Sequence, residues 1–410
     1  MTAKPDVDVL IVGGGPVGLL LANLLDGKRL KTLLVEQAPA PPAASMAIGI
    51  TPPSLELLGQ LDLDREFIAR GVPVECAKVH EAGKPAGELH FQALKNPYPF
   101  VLALPQADTI GLLEGRLRNT GTAEIRRGTR LIALEQTSGM VRATLHPADR
   151  RHPEQITASF LAGCDGHHSL VRSLAGLEPV KKKAYPVHFL MADFADDTGL
   201  GATAHLYFSP CGSIESFPLP GRRRRWIAQV ENPSHPPDAD LLVSRVAHHT
   251  GCDLTGRPCL PPTAFTPQRF LCRKYFRERV VLCGDAAHVM SPIGGQGMNT
   301  GFADAEFLAE ALAEHFCCQK DYQPLFAGYD HYRRTAFKVA ADRAARGMWL
   351  GTRQGIMASG LRMLLLKVLL GPLFADSLPA YFTMLSIPYR SLRVFGEEQL
   401  LIDPERDGRI

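Results

Sequence analysis

Two groups of residues in this chain have types and spacing that could bind a phosphorylated cofactor. The first is Gly13-Gly14-Gly15-Pro16-Val17-Gly18, which fills the three glycine positions of a GxGxxG pattern. Glycine suits such a loop because the backbone turns tightly and comes close to a pyrophosphate. The N-terminus of the helix that follows presents free N–H groups and a positive dipole end to the phosphates. Glu36-Gln37 ends the next apolar run, where a carboxylate could accept hydrogen bonds from both hydroxyls of a ribose.

The second group lies far along the chain. The apolar run Val280–Cys283 ends at Gly284-Asp285, and Pro292 and a glycine-rich stretch, Gly294–Gly301, follow. An aspartate at a strand end can hydrogen-bond the hydroxyls of a sugar alcohol. The helix that the glycines open could stabilise negative charge on a reduced flavin ring. The roughly ten residues between Asp285 and the start of this helix, if mostly extended, are long enough to reach from the ribityl chain of a flavin to its ring.

The elements that position these groups follow from hydrophobic periodicity. A strand at Asp8–Val12, a helix at Val17–Leu25 and a strand at Thr32–Val35 make a βαβ opening. Helices are also predicted at Ser54–Leu63 and Ala107–Asn119, and strands at Thr129–Glu135 and Val141–Leu145. An antiparallel sheet is predicted from four pieces separated by Gly and Pro turns, namely His188–Phe194, His205–Ser209, Ile214–Pro218 and Trp226–Val230. From Tyr329 onward the pattern is helical.

Composition and charge narrow the class of protein. The 410 residues are 45% hydrophobic and 21% charged, as in ordinary globular proteins, and a net charge of +3 gives no reason to expect a nucleic-acid partner. The nine cysteines form no CxxC pair, so we expect reduced thiols and neither a disulfide framework nor a metal site. The apolar N-terminal run is broken by glycines and preceded by acids, which favours a buried strand over a signal peptide. We therefore expect a cytoplasmic protein.

Taken together, these segments resemble the signatures of the p-hydroxybenzoate hydroxylase-like (group A) flavoprotein monooxygenases. The glycine loop, the Asp165-Gly166 segment (Cys164–Arg172) and the Gly284-Asp285 segment occur in that family's order, and the resemblance covers roughly Asp6 to Arg346. It implies FAD as cofactor, NADPH or NADH as a transient co-substrate bound in a surface groove, and O2. It also implies hydroxylation or epoxidation of an aromatic, polyketide-like or isoprenoid small molecule through a flavin C4a-hydroperoxide.

The resemblance implies an α/β fold, α+β as a whole. We expect a Rossmann-like FAD-binding domain, an inserted antiparallel β-sheet domain for the substrate, and a C-terminal helical segment. The predicted boundaries are 1–75, 101–180 and 275–345 for the FAD-binding domain, 76–100 and 181–274 for the substrate domain, and 346–410 for the helical extension. The chain stops at Ile410, so we expect no additional C-terminal domain of the kind that larger aromatic hydroxylases carry.

Site residues carry over from the resemblance position by position. The predicted cofactor-binding residues are Gly13, Gly15, Pro16, Val17, Gly18, Glu36, Gln37, Gln106, Asp165, Gly284, Asp285, Pro292, Gly295, Gly297, Met298 and Asn299. Of these, Pro292 and Gly295 are expected next to the reactive part of the flavin. Arg172 either contacts the nucleotides or forms an ion pair with Asp165, and His288 is expected to be structural. The family usually has an arginine where this chain has Met46, which puts the nicotinamide contact in question.

The substrate side carries weaker signals. His205, Tyr207 and Ser209 share one face of a strand, and Tyr207 is our candidate for the pocket. The run Arg222–Arg225 is interpreted as a solvated hairpin turn rather than a phosphate or membrane contact. The apolar segment 361–374 is too short to span a bilayer; it either packs on the FAD-binding domain or lies on a membrane surface. We expect a monomer or homodimer.

Three other functions remain open at this point. A flavin-dependent halogenase shares the FAD domain, although the WxWxIP pattern of many halogenases is absent and the chain's tryptophans are Trp226 and Trp349. A reductase or dehydrogenase could use the same fold without oxygen transfer. A non-catalytic flavoprotein that binds and shields a reactive intermediate is the third.

Overall fold

Two large sheets and a layer of long helices organise the chain. The computed structural model describes residues 4–42, 46–137, 139–180, 182–231 and 236–388. The end of the predicted helical extension, 389–410, lies outside the described residues, as does Ser45 beside Met46. The predicted fold class is confirmed, because the described elements form a mixed α/β architecture with a largely parallel sheet and an inserted, mainly antiparallel one.

The first sheet has eight strands. They are β1 (Val7–Val12), β2 (Thr32–Glu36), β8 (Glu124–Arg127), β9 (Thr129–Gln136), β10 (Val141–Pro147), β11 (Glu154–Gly163), β19 (Phe276–Arg277) and β20 (Val280–Leu282). Strand β1 lies between β2 and β11 and pairs parallel to both, and β20 pairs parallel to β11. The carboxyl ends of β1 and β20, which carry the two glycine-rich segments, therefore reach the same edge of the sheet.

The second sheet has seven strands. They are β5 (Cys76–Glu81), β6 (Lys84–His90), β13 (His188–Ala195), β14 (Ala204–Ser209), β15 (Gly212–Leu219), β16 (Arg223–Val230) and β17 (Thr263–Phe265). All neighbouring pairs are antiparallel except β14 with β5. Two three-stranded sheets complete the β-structure: β3 (Gly49–Ile50), β4 (Val72–Val74) and β7 (Val101–Ala103), and β12 (Lys183–Ala184), β18 (Gln268–Leu271) and β21 (His288–Val289).

The helices cover these sheets. They are α1 (Pro16–Asp26), α2 (Pro52–Gly59), α3 (Asp64–Arg70), α4 (Gln106–Thr120), α5 (Leu170–Leu174), α6 (Ala239–Thr250), α7 (Gln296–Cys318), α8 (Tyr322–Thr352), α9 (Ile356–Leu369) and α10 (Ser377–Phe382), with 3-10 turns at Gly284–Ala286 and Pro372–Phe374. Helices α1, α4 and α7 contribute to the main core beside β1, β2 and β11. The predicted boundary between residues 345 and 346 falls inside α8, which runs on without a break.

Helix α9 packs differently from our prediction. It contacts β5 and β6 of the seven-stranded sheet rather than the FAD-binding domain. Its inner side carries Ser359, Arg362 and Leu366, which are buried, and Arg362 forms an ion pair with Glu81 of β5. A buried ion pair with a sequence-distant partner is thus part of the contact between this apolar helix and the sheet. Within the described residues, no helix is long and apolar enough to cross a membrane.

Candidate functional site

The glycine loop after β1 is built so that two of its glycines cannot be replaced. Gly13 has φ +114°, and a Cβ there would lie 2.3 Å from the carbonyl oxygen of Cys164. A Cβ on Gly18 would lie 2.0 Å from the carbonyl oxygen of Gly13. Because both contacts are with backbone atoms that cannot rotate away, these glycines let the first turn of α1 lie against β1 and β11.

The remaining glycine of the pattern, Gly15, has a different environment. A Cβ on Gly15 would meet no protein atom within 4 Å, so the space beside it is open to a ligand. Gly15 is the N-cap of α1 and Pro16 its first residue, and no side chain caps the helix. The free N–H groups of this N-terminus face the open side, as an anion-binding site requires.

Glu36 ends β2 beside this loop. Its carboxylate accepts hydrogen bonds from the backbone N–H of Gly14 at 2.7 Å and of Ala38 at 2.8 Å. Each oxygen keeps further lone pairs, which could accept hydrogen bonds from ribose hydroxyls. Gln37, the next residue, is exposed at the turn.

Val17 joins the two glycine-rich segments. A Cβ on Gly301 of α7 would lie 2.6 Å from Cγ2 of Val17, and a Cβ on Gly284 would lie 3.2 Å from the same side chain. The structure therefore brings the start of α1, the Gly284–Ala286 turn and the first turns of α7 into van der Waals contact. Segments more than 260 residues apart in the sequence form one site, with Val17 as packing at its centre.

Asp285 lies in the 3-10 turn after β20. Its side chain is exposed, yet surrounding protein desolvates the carboxyl and raises its pKa. Exposure and desolvation together place the group in a groove rather than on a convex surface. A groove carboxyl with no described hydrogen-bond partner suits the hydroxyls of a sugar alcohol.

A buried cluster fixes this turn. Asp304 of α7 accepts hydrogen bonds from the backbone N–H of Gly284 at 3.2 Å, and from Nε of Arg333 on α8 at 2.7 Å. His288 Nε2 lies 2.5 Å from Oδ2 of Asp304. Burial raises the pKa of Asp304, but the charges of His288 and Arg333 outweigh it and leave the pKa lowered. His288 is thus buried and bonded to Asp304, and Asp304 and Arg333 are members of the cluster that the sequence did not single out.

The start of α7 lies open on the other side of the groove. Pro292, Gly294 and Gly295 are exposed, and both glycines have positive φ. A Cβ on Gly295 or Gly297 would meet nothing within 4 Å, and Met298 is partly buried. The backbone N–H groups of this helix end are therefore accessible to a planar ring with negative charge.

The side chain of Asn299, a predicted cofactor-binding residue, is held by contacts within the protein. Its amide donates to the carbonyl oxygens of Gly49 at 2.9 Å and Gly295 at 2.8 Å. Its oxygen accepts from Thr51 N at 3.0 Å and from Ser54 Oγ at 2.8 Å. Because every polar atom of the side chain is used, Asn299 connects α7 to β3 and α2, and any cofactor contact must come from its backbone.

Asp165 and Arg172 do not form the ion pair that we considered. One Asp165 oxygen accepts from the backbone N–H of Leu170 and Val171, and the other is buried without a described partner. Arg172 is 3% exposed and donates to the carbonyl oxygens of Ala286 and His167, both at 2.9 Å. The arginine connects the two signature segments and is too deeply buried to bind a nucleotide directly.

The loop that contains Met46 is held from two sides. Oε1 of Gln106, the first residue of α4, accepts a hydrogen bond from Ala47 N at 3.4 Å. Arg225 of β16 donates from Nη1 to the Met46 carbonyl oxygen at 2.8 Å, and its guanidinium also forms a two-point ion pair with Asp193 at 2.6 and 2.8 Å. Met46 itself is exposed. A buried arginine from the seven-stranded sheet therefore touches the loop in which the family's arginine usually stands.

The arginine run is only partly the solvated turn that we predicted. Arg222 is exposed at the turn with φ 53°, but Arg224 and Arg225 are 0% and 2% exposed within β16. Arg224 pairs with Asp196 at 2.8 Å. The prediction was wrong for these two because their acidic partners come from a different part of the chain, which a local charge run does not reveal.

The two faces of the seven-stranded sheet have different neighbours. Tyr207, 9% exposed, packs with Ile214, Trp226 and the α6 residue Leu242 in a closed core. Arg225, which reaches the Met46 loop, lies on the opposite face. The prediction that Tyr207 lines the pocket is therefore wrong, because α6 covers its face. The face toward the FAD-binding domain instead has five partly exposed positions at its centre, namely Leu206, Phe208, Glu215, Phe217 and Ile227.

One group of potential metal ligands exists among the described residues. Cys76, Glu88 and His90 bring one ligand atom each within 4.8 Å of one another at the edge formed by β5 and β6. The group is largely exposed and lies on strands outside the glycine-rich site. Exposed groups of this size commonly hold no ion, and no other feature of the described residues there points to a metal.

Comparisons with known proteins agree with this geometry. The family model of the FAD binding domain matches residues 6–344. The chain is 33% identical over 321 residues to 6-methylpretetramide 4-monooxygenase of Streptomyces rimosus. This alignment covers 76% of this chain and 57% of that protein. It is 30% identical over 316 residues to dialkyldecalin synthase of Streptomyces rugosporus, and this alignment covers 74% of this chain and 65% of that protein. The chain thus spans less than two thirds of these curated relatives.

A solved structure shows the same fold over nearly the whole chain. The p-nitrophenol 4-monooxygenase PnpA from Pseudomonas putida DLL-E4 superposes with a TM-score of 0.86 and covers 93% of this chain and 98% of that one. At 21% sequence identity, this likeness concerns the fold alone.

Proposed function

Because the chain belongs to the FAD binding domain family, with FAD as its cofactor, we propose that it is a monooxygenase that hydroxylates or epoxidises an aromatic, polyketide-like small molecule. One observation carries the proposal. Two glycine-rich segments converge at Val17, and the sheet face turned toward this domain has partly exposed, mostly apolar residues at its centre. A cofactor site and an apolar recess thus lie on facing surfaces. The name of the monooxygenase relative supports oxygen transfer.

Each segment of the site has a proposed part in holding the cofactor. The Gly13–Gly18 loop and the N-terminus of α1 bind the pyrophosphate, with Gly15 at the closest approach. Glu36 accepts hydrogen bonds from the adenosine ribose. Asp285 does the same for the ribityl hydroxyls, and the start of α7 from Gly295 lies along the flavin ring.

Bound FAD supplies the redox chemistry: it accepts a hydride from NADPH or NADH and activates O2 for transfer of one oxygen atom. The chain's own residues orient the substrate and keep water away. Leu206, Phe208, Phe217 and Ile227 provide apolar cover for that purpose. The chain has a single GxGxxG segment, so the nicotinamide nucleotide binds transiently in a surface groove rather than in a second dinucleotide fold.

The test is substrate-stimulated oxidation of NADPH or NADH by the FAD-loaded protein. The substrate panel consists of polycyclic phenols and includes 6-methylpretetramide. We expect faster oxidation with at least one compound and a product heavier by one oxygen atom. A chlorinated product would indicate the halogenase alternative, and a product lighter by two hydrogens the dehydrogenase. Either result would contradict the proposal.

A second candidate function has a specific observation in its favour. The similarity to dialkyldecalin synthase supports a synthase that forms a decalin ring system in place of an enzyme that transfers oxygen. The same assay separates the two functions. A product with the mass of its substrate, formed without consumption of NADPH or NADH, would identify this second function.

For the outer surface of α9 we propose contact with an anionic membrane surface by a cytoplasmic protein. The outward face of α9 is apolar: Ile356, Met357 and Leu364 are 84%, 90% and 61% exposed. Apart from Arg362, which is buried and paired with Glu81, residues 343 to 375 include three arginines and one lysine but no acidic residue. Apolar groups beside cations suit the surface of an anionic bilayer. A symmetric dimer through this face would bring these cations close to their own copies.

Sedimentation with vesicles tests this contact. We expect binding to phosphatidylcholine vesicles that contain about a third phosphatidylserine, and little binding to pure phosphatidylcholine. Leu364→Gln should weaken the binding, whereas Leu260→Gln, at an exposed leucine elsewhere, should not. A concentration-dependent dimer that Leu364→Gln dissociates would show instead that a second copy covers the face. Equal binding to both vesicle types would contradict the charge argument.

A further inference from the structure

Glu215 lies at the centre of the sheet face that is turned toward the FAD-binding domain. Its cross-strand neighbours are Leu206 on β14 and Ile227 on β16, and directly opposite residues in antiparallel strands share a face. Phe217, two residues along and on the same face, packs against a cluster that includes Val74 and Ala103 of the small sheet formed by β3, β4 and β7. The carboxylate thus stands between apolar side chains on the face proposed for the substrate.

Two other carboxylates point from the same face, and both are neutralised. Asp193 forms a two-point ion pair with Arg225. Glu81 pairs with Arg362 of α9, at 2.5 and 3.0 Å. For Glu215, by contrast, the described residues offer no hydrogen bond or ion pair. It is the one carboxylate on this part of the sheet whose charge the fold leaves unpaired.

The environment of Glu215 is that of a recess. The side chain remains partly accessible, while the protein around it desolvates the carboxyl and raises its pKa to about 7. An unpartnered carboxylate that is partly removed from water costs stability. Such groups concentrate at functional sites, where a ligand completes their hydrogen bonding.

We infer that Glu215 accepts a hydrogen bond from a hydroxyl group of the substrate and thereby selects phenolic ligands over their O-methylated forms. The inference rests on the proposed function, since it takes the recess beside Glu215 to be the substrate site. A phenol O–H supplies the donor that the fold does not. A methyl ether would place an apolar methyl group against the carboxylate and leave that carboxylate without a partner.

The expected selectivity follows from the nature of the acceptor. A hydrogen bond to a charged group in a partly desolvated site changes affinity by about tenfold or more. A site built to bind a hydroxyl also rejects analogues without one more strongly than an apolar pocket rejects an added methyl group. Glu215 therefore acts as a specificity-determining residue in contact with the substrate.

The test compares two ligands on the FAD-loaded protein. The probes are 2-naphthol and its methyl ether at about pH 8, where the Glu215 carboxyl is ionised and the phenol is not, and binding is followed by the change in flavin absorbance. We expect the wild-type protein to bind the phenol about tenfold more tightly than the ether. Glu215→Leu should bring the ratio of the two affinities close to one, and Glu215→Gln, which retains an oxygen acceptor, should give an intermediate ratio. Glu88→Leu, at an exposed position on β6, should leave the ratio unchanged.

The outcomes separate this inference from the function on which it rests. FAD content and unfolding temperature are measured for each variant, so that a misfolded protein is recognised. A wild-type protein that binds both probes equally, or binds neither, overturns the inference, as does a Glu215→Leu variant that keeps the preference. Loss of the proposed function has another signature: no compound of the phenol panel stimulates NADPH or NADH oxidation, whatever the binding ratio.

Discussion

At the scale of single residues, the glycines of the first loop divide into two kinds. Gly13 and Gly18 are required by the protein itself, because a Cβ at either position would overlap backbone atoms. Gly15 is required by no protein contact, since a Cβ there meets nothing within 4 Å. We propose that it leaves room for a ligand at the N-terminus of α1.

Gly15→Ala should therefore separate folding from cofactor binding. We expect its apoprotein to unfold within about 1 kcal/mol of the wild type, because φ of −77° suits alanine. FAD affinity should fall by at least about tenfold, since the methyl group occupies the space needed by the pyrophosphate. Gly111→Ala on α4, where a Cβ is equally unhindered, is the control and should keep FAD affinity. Fluorescence titration measures both variants, and normal FAD affinity in Gly15→Ala would contradict this placement.

At the scale of elements, one buried carboxylate holds three segments in register. Asp304 connects the turn at Gly284, the strand at His288 and helix α8 at Arg333. Removing the charge leaves the Arg333 guanidinium buried beside a neutral amide. Breaking a buried pair in this way costs about 3–5 kcal/mol.

Asp304→Asn should show that cost in denaturant unfolding of the apoprotein, together with weaker FAD binding because the Gly284 turn loses its support. Asp342→Asn is the matched control. Its ion pair with Arg269 at 2.8 Å involves a side chain that is 55% exposed, and such pairs contribute at most about 1 kcal/mol. Equal stability of the two variants would mean that the cluster does not fix the site.

Some of the elements that form the site could be predicted from the sequence, and others could not. The βαβ opening and the turn after β20 were predictable, because a glycine at a tight turn and an acid at a strand end are local requirements. It was not predictable from the sequence which face of the seven-stranded sheet turns toward the FAD-binding domain. Alternation in β14 indicates which residues share a face with Tyr207, but not which face α6 covers. Arg225 was also missed, since its partner Asp193 lies on another strand.

At the scale of the whole molecule, we expect stability to depend on pH through a pair of histidines in the seven-stranded sheet. His80 and His205 stack, with ring nitrogens 3.2 Å apart. Burial and, after it, the charge of the neighbouring His80 lower the pKa of His205 to about 4. The folded protein thus holds His205 neutral at pH values where the unfolded chain, with a pKa of about 6.5, binds a proton.

Stability should therefore fall as the pH decreases from about 6.5 to about 4, by on the order of 2–3 kcal/mol from this residue. His205→Gln should flatten that part of the profile, while His152→Gln, at an exposed loop position, should not. Urea unfolding at a series of pH values measures the effect. A wild-type profile with the same slope as that of His205→Gln would show that the pair does not resist protonation.

The central claim is that this FAD-binding fold transfers an oxygen atom from O2 to an aromatic substrate. The most direct test is turnover under isotope-labelled O2 with the phenol panel and NADPH or NADH, followed by mass spectrometry. We expect one labelled oxygen atom in the product and one nicotinamide nucleotide oxidised for each product formed. A product without the label, or one with the mass of its substrate, would contradict the claim.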